Sequence, residues 1–158
     1  MLAFHAALHA RSPDVGAGQV ISLHGSPWQT LLVQPEALGT GIPALRAGFP
    51  ISFEAALTAL EKLPRMFAEP DGSFVWPSPA AELKWQVDGN LFDRDGRLLF
   101  VDLKGTCPTA EFDRLLAAFT WPETAVMCQL LREAVFLDDL EFRRFAAVIP
   151  SPPGRGLG

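Results

Sequence analysis

Asp88, Asp102 and Lys104 lie in one stretch, Trp85 to Gly105 (WQVDGNLFDRDGRLLFVDLKG), that reads as a β-hairpin. Asp93-Arg94-Asp95-Gly96-Arg97 supplies the turn. Gly96 suits the left-handed position of a three-residue loop, Arg94-Asp95-Gly96, with Asp93 paired to Arg97. In that register Asp88 stands opposite Asp102, Asn90 opposite Phe100 and Gln86 opposite Lys104. Side chains alternate along a strand, so Gln86, Asp88, Asn90 and Phe92 share a face with Leu98, Phe100, Asp102 and Lys104. Trp85, Val87, Leu91, Leu99, Val101 and Leu103 form the other face, which is apolar and must pack. A two- or four-residue loop would instead put Asp88 and Asp102 on opposite faces.

Two carboxylates opposed across a sheet repel each other. Full solvation, a raised pKa on one of them, or a bound cation relieves the repulsion. The pair therefore reads either as part of a solvated outer face or as a metal site with Lys104 beside it.

An aspartate on one strand, a hairpin, and a hydrophobic strand ending Asp-x-Lys resemble the signature of PD-(D/E)XK nucleases. The residues that carry it are Val87-Asp88-Gly89 and Leu98-Leu99-Phe100-Val101-Asp102-Leu103-Lys104, with Val87 where the family has proline. The resemblance covers residues 52 to 131. It implies a metal-dependent phosphodiester hydrolase in which Asp88, Asp102 and Lys104 are catalytic. Asp88 and Asp102 would hold Mg²⁺, and Glu54 (or Glu61) would complete the shell. Lys104 would orient the attacking water or stabilise developing charge, and Gln86 would position Lys104.

The elements around the hairpin follow the same order. Ser52 caps a helix to Leu63, with Phe53, Ala56, Leu57, Leu60 and Leu63 on one face and Pro64 ending it. Met66–Ala68 and Ser73–Trp76 pair through Pro70-Asp71-Gly72. Together with the central hairpin they make a four-strand antiparallel meander. Thr109 caps a helix through Phe119 that buries Phe112, Leu115 and Leu116. Ala125–Leu131 reads as a buried strand, and Arg132–Leu137 as a turn or short strand. Asp138 caps a last helix, with Glu141 at the capping-box position. The predicted fold class is α+β, a mainly antiparallel meander in the order α-βββ(β)-α-β-α, with the helices packed on one face.

Residues 1 to 50 carry little pattern. Leu2, Phe4, Ala7 and Leu8 suit a short helix or strand. Val20–Leu23 and Thr30–Gln34 suit a hairpin through His24-Gly25-Ser26-Pro27, and Pro35–Pro50 a linker. His5 and His9 have a spacing that holds a metal on a helix, but no third ligand is evident, and both read as surface histidines. The expected organisation is a poorly defined segment 1–50, one α+β domain over 51–149, and a disordered tail over 150–158.

Composition sets the bounds. A chain of 158 residues, 49% hydrophobic and 20% charged, is long enough for a single soluble domain with its own core. The net charge of −5 argues against a strongly basic nucleic-acid surface. The three lysines are Lys62, Lys84 and Lys104, so one of three stands two residues from Asp102. Cys107 and Cys128 are too few for a disulfide framework or a zinc site and read as free thiols in a reducing compartment. Met1–Ala10 lacks a basic leader, and no stretch reaches membrane-span length. The expected location is the cytoplasm, with no membrane association.

The expected function is a small, non-enzymatic binding or interaction domain. Phe92, Leu98 and Phe100 are large apolar groups for an outer face, which calls for a protein partner, a second copy met through an apolar sheet face, or cover by residues 1 to 50. The alternative is the metal-dependent hydrolase, with nucleic acid as its substrate and Mg²⁺ as its cofactor.

Overall fold

The computed structural model describes residues 1–33, 48–79 and 83–148. The expected linker over Pro35–Pro50 lies largely outside the described residues, and the expected tail over 150–158 wholly outside them.

Among the described residues, nine strands form one sheet. They are β1 (Leu2–Ala10), β2 (Gly16–Leu23), β3 (Ser26–Leu32), β4 (Phe67–Ala68), β5 (Ser73–Pro77), β6 (Gln86–Arg94), β7 (Arg97–Cys107), β8 (Val126–Leu130) and β9 (Val135–Asp138). The helices among the described residues are α1 (Phe53–Glu61), α2 (Thr109–Ala117) and α3 (Asp139–Val148). The order across the sheet is β2-β3-β9-β8-β1-β7-β6-β5-β4, and every pairing is antiparallel. The expected α+β class, the meander β4-β5-β6-β7 and the order of elements after residue 52 are all present.

Residues 1–33 are not an appendage. β1 is the middle strand, pairing with β7 on one side and β8 on the other. The strand at Val126 therefore pairs with β1 and β9, and β1 separates it from the strand of Asp102. His5 and His9 sit on this strand rather than on a helix.

The apolar face of the sheet carries Leu8, Val87, Leu91, Val101, Leu103, Cys128, Leu130 and Leu137. These join Ala56 and Leu60 of α1, Phe112, Leu115 and Leu116 of α2, and Phe142, Phe145 and Ala146 of α3 in one core. All three helices thus pack on one side. Ser52 Oγ accepts from the Ala55 N–H at 3.1 Å, as expected of the cap. Asp138 Oδ1 accepts from the Glu141 N–H at 2.8 Å. The Glu141 carboxylate does not close a capping box; it accepts from the Gln29 N–H and from Arg144. α2 begins after Pro108 with no side-chain cap, so Thr109 is its first helical residue and not its N-cap.

The hairpin turn differs from the expected loop. It is a two-residue turn, Asp95-Gly96, both at positive φ, with Arg94 paired to Arg97. Asp93 then faces Leu98 and Phe92 faces Phe100, which leaves Leu99 as a bulged extra residue. The neighbouring chain fixes the bulge. Phe49 N–H donates to the Leu98 carbonyl and Leu98 N–H to the Ile51 carbonyl, at 2.8 and 3.0 Å. Leu98 consequently points into the core and is fully buried, whereas Leu99 is half-buried, the reverse of the expected faces.

Candidate functional site

The bulge also shifts the register beyond it. Asp88 faces Lys104, Asn90 faces Asp102 and Gln86 faces Thr106. Asp88 and Asp102 are therefore diagonal neighbours, not directly opposed, and the repulsion expected of a facing pair is absent. The bulge restores the parity that the two-residue turn would have changed, so both aspartates still share a face with Lys104. On the far side of β7, Lys104 faces His5 and Asp102 faces Ala7. Lys104 thus stands between Asp88 and His5.

The hydrogen bonding of this face is sparse. Gln86 Nε2 donates to Asp88 Oδ1 at 2.9 Å, so Gln86 holds the aspartate rather than the lysine. Among the described residues, neither Asp102 nor Lys104 forms an ion pair. Partial burial raises the Asp102 carboxyl above its ordinary pKa, and the nearby His5 charge opposes the shift. Glu54 is exposed on α1, which packs on the opposite, apolar face, so it does not meet Asp88 and Asp102. No group of three or more His, Cys, Asp or Glu side chains able to hold a metal occurs among the described residues.

What the open face does assemble is an aromatic row across strands. Phe92 of β6 stacks on Phe100 of β7 at 4.6 Å between ring centres, and Phe100 stacks on His9 of β1 at 5.3 Å. His9 in turn meets Phe136 of β9 at 5.8 Å. At the Phe136 end the row is sealed by a second small core of Val15, Leu31, Met127 and Phe136. At the other end it lies open. Phe92 is 37% exposed, and the row of Phe67, facing Val75 and then Asp88, adds a phenylalanine that is 66% exposed. The face over β4–β7 is thus a mixed surface, with apolar Phe67, Val75, Phe92 and Phe100 interleaved with Asp88, Asn90, Asp102 and Lys104.

His9, which the sequence suggests is a surface histidine, is instead a buried member of the row. It is only 5% exposed, and neither ring nitrogen has a hydrogen-bond partner. Burial pushes its pKa down to about 4, against a smaller upward pull from the Gln129 side chain. The period-two run His5-Ala7-His9 is the signal that places it on this face once β1 is known to be a strand. Both cysteines are buried, as free thiols, and burial pushes Cys107 up to about 12 and Cys128 well above its ordinary value. Burial thus disfavours the thiolate, the nucleophilic form, at both positions.

Compared with family models, with curated proteins and with solved structures, the chain finds no match. No helix among the described residues is long and apolar enough to cross a membrane.

Proposed function

We propose that the chain is a binding domain that takes a protein segment on the open face of β4–β7. One observation carries this reading. The helices all pack on one side of the sheet, yet the other side exposes Phe67, Val75 and Phe92, interleaved with the charged side chains of Asp88, Asp102 and Lys104. Exposed apolar area of this kind, rimmed by polar groups, marks interaction surfaces. Phe67, Val75 and Phe92 supply apolar contact, and aromatic side chains dominate the energetics of such contacts. Asp88 and Asp102 outnumber Lys104, so the segment bound is one that combines apolar and basic side chains. The test is selection of displayed peptides on wild type and on Phe92→Glu. Peptides that enrich on wild type and fail on the variant support the proposal. Equal enrichment on both, or none on either, contradicts it.

A second reading, metal-dependent phosphodiester hydrolysis, draws support from Asp88, Asp102 and Lys104 sharing one face of adjacent strands. Three observations weigh against it. Lys104 rather than Asp102 faces Asp88, Glu54 is on the other side of the sheet, and no strand runs parallel beside β7.

A further inference from the structure

The two edges of the sheet are treated differently. One edge, β4, is two residues long. The other, β2, is eight residues long, GAGQVISL, with no proline and no charged side chain. Long, uncharged edges invite further strand pairing, and sheets ordinarily blunt them with charges, proline or brevity.

The pairing of β2 with β3 shows which backbone groups are left over. The hairpin turns through His24 and Gly25, so Leu23 and Ser26 form the hydrogen-bonded pair beside the turn. Pairs then alternate along the ladder. Ser22–Pro27 and Val20–Gln29 are non-hydrogen-bonded, and Ile21–Trp28 is hydrogen-bonded. Two facts agree with this phase. Pro27 has no N–H to donate, and the Gln29 N–H points away from β2 to the Glu141 carboxylate at 2.7 Å. The N–H and C=O groups of Val20 and Ser22 therefore point outward, and no group among the described residues bonds them. Nearer its start, β2 is bulged, and Gln29 and Thr30 side chains occupy the Gly18 and Gln19 carbonyls. The free strip is thus short and centred on Ile21. It is also held firmly from behind. Trp28 packs edge-on against Phe145 at 5.1 Å, and Arg144 lies over the Trp28 ring at 4.2 Å and donates to the Pro27 carbonyl.

We infer that β2 pairs with β2 of a second copy, antiparallel about a two-fold axis at Ile21, extending the sheet across two chains. Val20 of one copy faces Ser22 of the other, twice, and each such pair exchanges two hydrogen bonds. Ile21 faces Ile21 as a non-hydrogen-bonded pair. The choice of a second copy rests on charge and symmetry. The chain carries a net charge of −5, so most ways of joining two copies set like charges together. The Val20–Leu23 strip brings none, and its outward groups are complementary to themselves. Val20, 62% exposed in the single chain, gains cover from its neighbour across the axis.

Sedimentation equilibrium over a concentration series tests the pairing. Wild type should dimerise reversibly. Ser22→Pro deletes an outward N–H in each copy, two of the four new bonds, and is tolerated on an edge. It should raise Kd roughly tenfold or more. Val20→Lys, at an exposed side chain, should do the same without changing the melting temperature of the monomer. The register has its own readout. Ile21→Cys should oxidise to a cross-linked dimer, because non-hydrogen-bonded pairs bring Cα atoms to the separation a disulfide needs. Val20→Cys, though more exposed, should cross-link more slowly, since it faces Ser22. Wild type that stays monomeric at every concentration overturns the inference. So does a dimer that neither substitution weakens, or a Val20→Cys that cross-links as fast as Ile21→Cys.

Discussion

His9 gives the fold a pH dependence whose sign and size follow from its surroundings. The imidazole is almost wholly buried among Phe100, Phe136 and Met127, and neither nitrogen is hydrogen-bonded. Its pKa in the folded chain is about 4, against an ordinary value of 6.5. Between those values the unfolded chain binds more protons, so stability rises with pH across that window. The contribution is fully present above the unfolded value and is lost as pH falls through the folded one. The difference amounts to about 3 kcal/mol in all. About 2 kcal/mol of it is lost between neutral pH and about pH 5, above the range where most carboxylates titrate. The assay is urea unfolding of wild type and His9→Phe at a series of pH values. Phenylalanine continues the aromatic row and leaves no ring nitrogen unsatisfied, so at pH 7 the variant should be at least as stable as wild type. On acidification, wild type should lose about 2 kcal/mol more than the variant by about pH 5. Parallel curves for the two proteins over that interval would show that His9 does not titrate with a lowered pKa in the folded chain, as would a wild type that gains stability there.

The remaining predictions concern the strands around this row. Gly105 has φ +144°, and a Cβ there would sit 2.0 Å from the Gln86 carbonyl oxygen, a backbone atom. Gly105→Ala should therefore cost about 1–3 kcal/mol or more, read as a drop in melting temperature. If Asp88 and Asp102 are groups for a polypeptide and not a metal site, millimolar Mg²⁺ or Mn²⁺ should leave the melting temperature of wild type and of Asp102→Asn unmoved. A metal-dependent rise in wild type that disappears in Asp102→Asn would favour the hydrolase reading.

Local signals were legible where local physics decides. Ser52 before Phe53 and Pro64 after Leu63 frame α1, and Pro70-Asp71-Gly72 marks the first turn; Gly96 locates the second, but as a two-residue turn and not the expected Arg94-Asp95-Gly96 loop. The register of the central hairpin was not legible, because the bulge at Leu99 is set by Phe49 and Ile51, far away in sequence. β1 was not legible for a different reason. Ala6, Ala7, Leu8 and His9 are all buried, so the strand covers both faces and loses the alternation that identifies a half-buried strand. Its alanines and histidines also lack strong strand preference. The alternation along the two strands puts Asp88, Asp102 and Lys104 on one face in the sequence and in the fold alike. Which of them face each other was decided by contacts the sequence does not display.

The most direct measurement of the binding proposal is amide hydrogen exchange of the wild-type chain with and without a peptide selected on it. Binding on the open face should slow exchange along residues 86–92 and 100–104, on the strands that carry Asp88, Phe92, Phe100, Asp102 and Lys104, and leave residues 16–23 unchanged. Slowed exchange confined to residues 16–23, or to the helices, would contradict it.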